Sequence, residues 1–314
     1  MNIIGDNDQP IKFIDLFAGI GGFHLAFHGE GAECVFASEI DEQARKTYKA
    51  NFNQITPELF ENEDELFNKD IKEQVIDEIP DFDILCGGFP CQPFSNAGFK
   101  RGFEDTRGTL FFNIAEIINK KQPQAFFLEN VRGLFNHNNG RTFETIKRVI
   151  TEDLGYSFYW KIVKASDYGL PQARPRLFMV GFKDRNINFE FPDPVPLKYD
   201  MSYVMGGSVP RSVGFTLRCG GRGSKIHDRR NWDCYQVDGK DVQLNSKQGL
   251  LMQGFPQDFI FPVSETQAMK QLGNSVAVDA VKATAHNIIK ALKKKDYFKK
   301  VLQQELLFSY ADFK

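Results

Sequence analysis

Short apolar runs alternate with amphipathic stretches through the first half of the chain. Ile11 to Phe17 is apolar and strand-like, Gly22 to Gly29 has helical spacing, Cys34 to Glu39 is strand-like, and Glu42 to Asn51 is helical again. The alternation continues with Asp83 to Cys86 (strand), Thr109 to Lys120 (helix), Ala125 to Leu128 (strand) and Thr142 to Leu154 (helix). Two more strands follow, Phe158 to Val163 and Leu177 to Phe182. This order predicts an α/β fold, a doubly wound and mostly parallel sheet with helices on both faces. Such sheets bind ligands beyond the carboxyl ends of their strands. The residues after Phe17, at Glu39, after Leu85 and after Leu128 fall there.

Near Phe189 the texture changes. FEFPDPVP cannot continue a helix or a central strand, and glycine pairs follow at Gly206-Gly207 and Gly220-Gly221. Helical spacing returns over Ser264 to Leu292. The reading is a large unit of residues 1–188 plus 263–314 and a small irregular domain at 189–262, with no internal repeat.

With 314 residues and 42% hydrophobic content the chain has ample material for a core. Lys plus Arg number 39 against 41 Asp plus Glu, a net charge of -2, so any nucleic-acid partner must be met by local positive charge. Five cysteines without CxxC pairing argue against a disulfide framework or a zinc site. No apolar run reaches the ~20 residues of a membrane helix. These features predict a cytoplasmic protein without a metal.

FIDLFAGIGG (Phe13 to Gly22) puts a glycine-rich turn between a strand and a helix, which lets backbone approach a ligand closely. Alone it fits an ordinary βα turn as well. His24 stands where a dinucleotide fingerprint has its third glycine, which counts against a nicotinamide dinucleotide. Glu39 ends the next strand, where an acidic side chain can accept from both ribose hydroxyls. Asp70-Ile71 is a candidate for closing an adenine pocket.

In GGFPCQPFS (Gly87 to Ser95), Pro90 and Pro93 stiffen a loop that holds Cys91 at the carboxyl end of a strand, as a positioned nucleophile requires. Cys86 lies inside the apolar run and is expected to be structural. In FFLENV, Glu129 follows a strand directly; a carboxyl against an apolar wall has a raised pKa and can donate a proton. An exposed strand-end acid is an equal reading of that motif alone. In QARPR (Gln172 to Arg176), Arg174 and Arg176 alternate and are expected on the same side of a strand, suited to an oxyanion or carbonyl.

Together these segments resemble the bacterial C5-cytosine DNA methyltransferases over nearly the whole chain and in the family's order. FIDLFAGIGG is similar to motif I, GGFPCQPFS to motif IV, RGTLF (Arg107 to Phe111) to motif V, ENV to motif VI, QARPR to motif VIII and QLGNSV (Gln271 to Val276) to motif X. The resemblance implies that Cys91 is the nucleophile, that Glu129 works on the base, and that Arg176, with Arg174, holds the cytosine carbonyl. It places S-adenosylmethionine against the turn Phe17, Ala18, Gly19, Ile20, Gly21 and Gly22. Glu39, Ile40, Asp70 and Ile71, then Pro90, Leu110, Asn274 and Ser275, complete the implied donor site. Addition of a thiolate to C6 activates C5, and a proton or hydrogen bond at N3 with an arginine at O2 offsets the developing charge. The base must leave the duplex, at roughly a few kcal/mol. The loop Asn96 to Thr106, with Lys100 and Arg101, is expected to close over double-stranded DNA, with Ser95 and Arg107 beside it.

The resemblance puts target recognition between motifs VIII and IX. There FTLRCGGRGSKIHDRRNWDCYQVDG (Phe215 to Gly239) supplies local positive charge at Arg218, Arg222, Lys225, Arg229 and Arg230, next to the Thr216-Leu217 pair. Arginine reads guanine bidentately but also binds phosphate; at least one guanine is expected in the site. Trp232 is expected to anchor this segment. Motif IX departs from the family, with Lys247 and Gln248 in place of Arg-Glu and Leu251 in place of a second arginine, which puts the packing of the recognition domain in question. A monomer is expected, and a cognate restriction endonuclease acting on the same site fits the family. The alternatives are a tRNA cytosine-5 methyltransferase of the same fold and a non-catalytic DNA-binding relative.

Overall fold

The computed structural model describes residues 9–62, 65–90 and 109–311, with side chains to residue 295. Cys91, Ser95, Lys100, Arg101, Arg107 and the loop expected to close over DNA lie outside the described residues.

Alternating burial builds the sheet. In β1 (Lys12–Leu16), Phe13 packs into one apolar cluster while Ile14 and Leu16 pack into another on the opposite face. β5 (Ala125–Val131) does the same with Phe127 against Phe126 and Leu128. Strands covered on both faces read as continuous apolar runs, which is how they stand in the sequence. β2 (Glu33–Ser38), β3 (Phe67–Asn68), β4 (Ile84–Gly88), β6 (Tyr159–Lys164) and β7 (Pro175–Phe182) complete a seven-stranded sheet in the order β3-β2-β1-β4-β5-β7-β6. The pairs from β3 through to β5 are parallel. β7 is antiparallel to both its neighbours, so the sheet is mostly parallel, as expected. Pro175 opens β7, the position where a missing N–H is tolerated.

The crossover helices follow the predicted spacing. α1 (Gly22–His28) leaves the glycine turn. α2 (Glu42–Phe52) is capped by Asp41, whose carboxylate accepts from the Gln43 and Ala44 N–H groups. Thr109 caps α3 (Leu110–Lys121). After α4 (Gly133–Asn136), the helix expected to run to Leu154 is α5 (Arg141–Arg148), which continues as a π-helical turn at Val149–Asp153.

Residues 189–262 carry α6 (Met201–Met205), the hairpin β8 (Cys234–Val237) and β9 (Lys240–Gln243), and α7 (Ser246–Gln253). Trp232 is 1% exposed and its indole N–H donates to the Gly220 carbonyl at 3.0 Å, so it anchors the segment. The buried side chains here are continuous with the cluster on one face of the large sheet.

The single helical stretch expected over Ser264 to Leu292 is two helices, α8 (Glu265–Asn274) and α9 (Val278–Ala311), broken at Ser275. The Ser275 backbone is extended, and its carbonyl accepts from Arg174 and Gln253 instead of from a helical N–H. Among the described residues no helix is long and apolar enough to cross a membrane, and no cluster of metal-binding side chains occurs.

Candidate active site

The chain runs from β1 outward to β2 and β3, then returns to start β4 and β5 on the other side. The crevice at this reversal is where doubly wound sheets bind ligands. A cleft of about 810 Å³ opens there. The carboxyl ends of β1, β2, β4 and β5 contribute Phe17 and Gly19, Glu39 and Ile40, Gly88 and Pro90, and Glu129 to its lining. Because β7 runs the other way, its amino end meets the same rim and brings Arg176 into the cleft. Leu110 borders the cleft from the start of α3, Thr216 to Gly220 from the recognition segment, and Gly273 and Asn274 from the end of α8.

The glycine turn is held by the next strand's acid. Glu39 accepts from the Gly19 N–H at 2.8 Å and from the Asp41 N–H at 2.7 Å. Burial raises its pKa, against the pull of those N–H groups. Phe17, at φ +56, occupies a left-handed conformation that side chains seldom adopt. Ile40 is 62% exposed on the cleft wall. An uncovered apolar side chain beside a positioned carboxylate fits a nucleoside, with hydroxyls at Glu39 and a flat base at Ile40. Gly21 packs against the Phe52 ring and Gly22 against Val276, so neither leaves room for a side chain. They shape the turn from below, with Ala18 and Ser275 buried beside them. Asp70 and Ile71 are not at this cleft: Asp70 caps its own turn through the Lys72 N–H, and Ile71 is buried in the core on the opposite face from α1.

Glu129 is 8% exposed and forms an ion pair with Arg176, Nε to Oε1 at 2.9 Å. Burial raises its pKa, opposed by the charges of Arg176 and Arg174. A carboxyl so placed holds a proton more readily than an exposed one and can hand it to a base in the cleft. The next residue, Asn130, donates to the Phe89 carbonyl at 2.7 Å and so ties the end of β5 to the start of the Pro90-Cys91 loop. Sequence reasoning noted Asn130 only as part of the motif; an amide directly after a buried acid was the signal for this tether. Cys86 is fully buried and burial pushes its thiol well up, which leaves it inert.

The two arginines of QARPR do not share a face. Arg176 pairs with Glu129. Arg174 precedes β7 at φ +23, outside the strand whose alternation would have aligned the pair. It is 2% exposed and donates to the carbonyls of Leu217, Gly273 and Ser275. Its guanidinium is engaged by backbone, so the expectation of two arginines on one carbonyl reduces to Arg176.

The basic recognition segment is also divided. Arg222 donates to the Leu244 carbonyl and lies 3.6 Å from both the buried Asp233 and Glu265. Arg230 is folded back on Asp228 at 3.0 Å. Arg218, Lys225 and Arg229 are exposed. The altered motif IX packs well. Gln248 completes a capping box with Asn245 at the start of α7, the role a glutamate at that position would have, and Leu251 packs on the core.

The site sets a buried acid paired with an arginine in the ligand-binding crevice of a doubly wound sheet, the arrangement of an α/β enzyme. The family model of C-5 cytosine-specific DNA methylases matches residues 11–211 and 211–290, and the chain belongs to that family: it is a DNA (cytosine-5) methyltransferase. It is 40% identical to the Type II methyltransferase M.DsaV of Dactylococcopsis salina over 93% of this chain and 91% of that one. It is 41% identical to the Type II methyltransferase M.HpaII of Haemophilus parainfluenzae over 90% of each. Among solved structures, the methyltransferase EhMeth of Entamoeba histolytica superposes with a TM-score of 0.67 at 15% identity, covering 91% of this chain and 99% of that one, a likeness of fold.

Proposed function

We propose that the enzyme transfers a methyl group from S-adenosylmethionine to C5 of a cytosine flipped out of a specific short duplex DNA sequence, through a transient bond between Cys91 and C6. The observation that carries this reading is the convergence on one cleft of Glu129, Arg176 and Pro90, which immediately precedes Cys91. Glu39, Ile40, the Phe17–Ile20 turn and Asn274 would hold the donor, which when bound supplies an electrophilic methyl.

The residues act in sequence. Cys91 adds as thiolate to C6, the C5–C6 double bond gives way to an enamine, and the electron density this places on C5 directs the methyl there. Glu129 gives a proton or hydrogen bond to N3, and Arg176 faces O2, so the charge that builds on the ring is met by preorganised groups. Loss of the C5 proton restores the double bond and expels the thiolate. Residues 189–262 serve as target-recognition region, residues 1–188 plus 263–314 as catalytic unit, and the enzyme works as a monomer; a cognate endonuclease fits the Type II designation of its relatives.

The test is covalent trapping on duplex DNA containing 5-fluorocytosine, where the C5 substituent cannot leave as a proton. The native protein forms an adduct and Cys91→Ser does not; an equal adduct from Cys91→Ser overturns the reading. Methyl incorporation into duplex DNA rather than tRNA, with bisulfite sequencing of DNA from expressing cells, identifies substrate and site.

A further inference from the structure

Arg174 takes no part in the chemistry above, yet it is buried at 2% exposure behind the cleft, beside the lining residues Leu217 and Gly273. Its Nη1 donates to the Leu217 carbonyl at 3.1 Å, and its Nη2 to the carbonyls of Gly273, at 3.0 Å, and Ser275. Leu217 belongs to the recognition segment, and Gly273 to Ser275 to the donor side. Gln172, fully buried two residues earlier, grips the same Leu217 from its other end, accepting from the N–H at 2.8 Å. Its amide donates to the Gln253 side chain at 3.2 Å. Gln253 in turn donates to Leu272 at 2.6 Å and to Ser275 at 3.3 Å. At Gly273 the two segments touch backbone to backbone, for a side chain there would overlap the Arg218 carbonyl.

We propose that Arg174 is a positioning residue that couples donor binding to DNA engagement by fastening the recognition segment at Leu217 to the donor-side turn at Gly273 and Ser275. Arginine suits this because its rigid fork bridges several carbonyls at once, which a lysine point charge cannot do. A shift of Leu217 toward DNA is carried through one guanidinium to the turn that ends α8, and withdrawal of any of these carbonyls leaves a buried donor without a partner. The charge of Arg174 also acts on Glu129, so the same residue bears on the catalytic acid. Coupling of this kind is reciprocal: each ligand changes the other's affinity by the same factor.

The inference rests on the proposed substrate and donor, and its test is by binding. The dissociation constant of S-adenosylhomocysteine is measured calorimetrically with and without a short unmethylated duplex carrying the mapped site, or sheared unmethylated DNA if no site is mapped. In the native enzyme the duplex tightens the nucleoside on the order of tenfold, while in Arg174→Gln the factor falls toward one and each ligand alone stays within about threefold of native. Arg174→Lys falls between. A native factor of one, or an undiminished factor in Arg174→Gln whatever its melting temperature, overturns the inference. Should Arg174→Gln fail to fold, Arg174→Lys carries the test: a point charge cannot bridge the three carbonyls, so it must lower the factor, and a full factor there also overturns the inference. Failure of the fluorocytosine adduct is seen separately and leaves this binding factor measurable.

Discussion

Arg176 Nε lies 2.9 Å from Glu129 Oε1, although the two residues enter the cleft on strands that run in opposite directions. The pair is nearly sealed from water, so neither partner is dispensable to the other. Glu129→Gln keeps the shape and removes the proton; kcat should fall by about 10²–10⁴-fold, the usual range for a lost general acid. Arg176→Leu leaves the carboxyl buried and unpaired and should destabilise the fold by roughly 3 kcal/mol. Adding Glu129→Gln to it should restore part of that loss in denaturant unfolding. Additive losses in the double variant would show that the pair does not interact.

Asp15 lies in β1 leading into the glycine turn, fully buried, and neither carboxyl oxygen meets full hydrogen-bond geometry, the His24 backbone N–H being near enough only to temper its charge. Burial first, and then the nearby Glu39 charge, keep its pKa well above the ordinary value, against the pull of the His24 backbone. An acid whose folded pKa is raised favours the folded state fully below its unfolded pKa, and that advantage is lost as pH rises through the folded one. Each tenfold difference in proton affinity between the two states equals about 1.4 kcal/mol. Asp15→Asn cannot ionise, so its stability relative to the native protein should improve steadily from pH 4 upward (an order-of-magnitude window set by the unfolded carboxyl, roughly 3.9). Parallel melting curves across pH would contradict this.

Residues 215–239 separate cations engaged within the fold from cations open to solvent. Lys225→Ala and Arg229→Ala, both at exposed positions, should each reduce the slope of log affinity against log salt by about one. Arg222→Ala should leave the slope unchanged and lower the melting temperature, because its partners are Asp233, Leu244 and Glu265. Salt titrations of DNA binding beside thermal unfolding discriminate the two kinds of arginine.

The capping box of α7 gives a sharper measure of the altered motif. Asn245→Ala should cost about 1 kcal/mol, as loss of an N-cap usually does, whereas Gln248→Glu keeps the reciprocal bond to the Asn245 N–H and should be close to neutral. Denaturant unfolding of the two variants decides it, and a destabilised Gln248→Glu would mean that the amide is needed for another reason.

The sheet and most of the site were legible because they follow from local pattern. Both-face burial makes β1 and β5 mostly apolar, Asp15 in β1 excepted, and the acids at Glu39 and Glu129 stand at the ends of such runs. What was not legible depends on distant partners. The helical spacing across Ser275 continues without interruption; the break comes from Arg174 and Gln253, which capture its carbonyl from 101 and 22 residues away. Alternation misaligned Arg174 with Arg176 because Arg174 stands before the strand at φ +23. Arg222 looked like a DNA contact among glycines, and nothing nearby in the chain announced that Leu244 and Glu265 would claim it. Asp70-Ile71 carried the right residue types, but Asp70 bonds its own turn at the Lys72 N–H and Ile71 is buried, so neither lines the cleft.

The cleft-lining groups of the sheet, Gly19, Glu39, Gly88, Glu129 and Arg176, occupy one rim. The opposite rim is made of the turns that enter β2 at Glu30–Ala32 and β5 at Gln122–Gln124, and the exit of β7 at Lys183-Asp184. A reporter domain or immobilisation tether grafted there points away from the catalytic cleft. That gives this scaffold a natural handle for fusion proteins that must still reach their target.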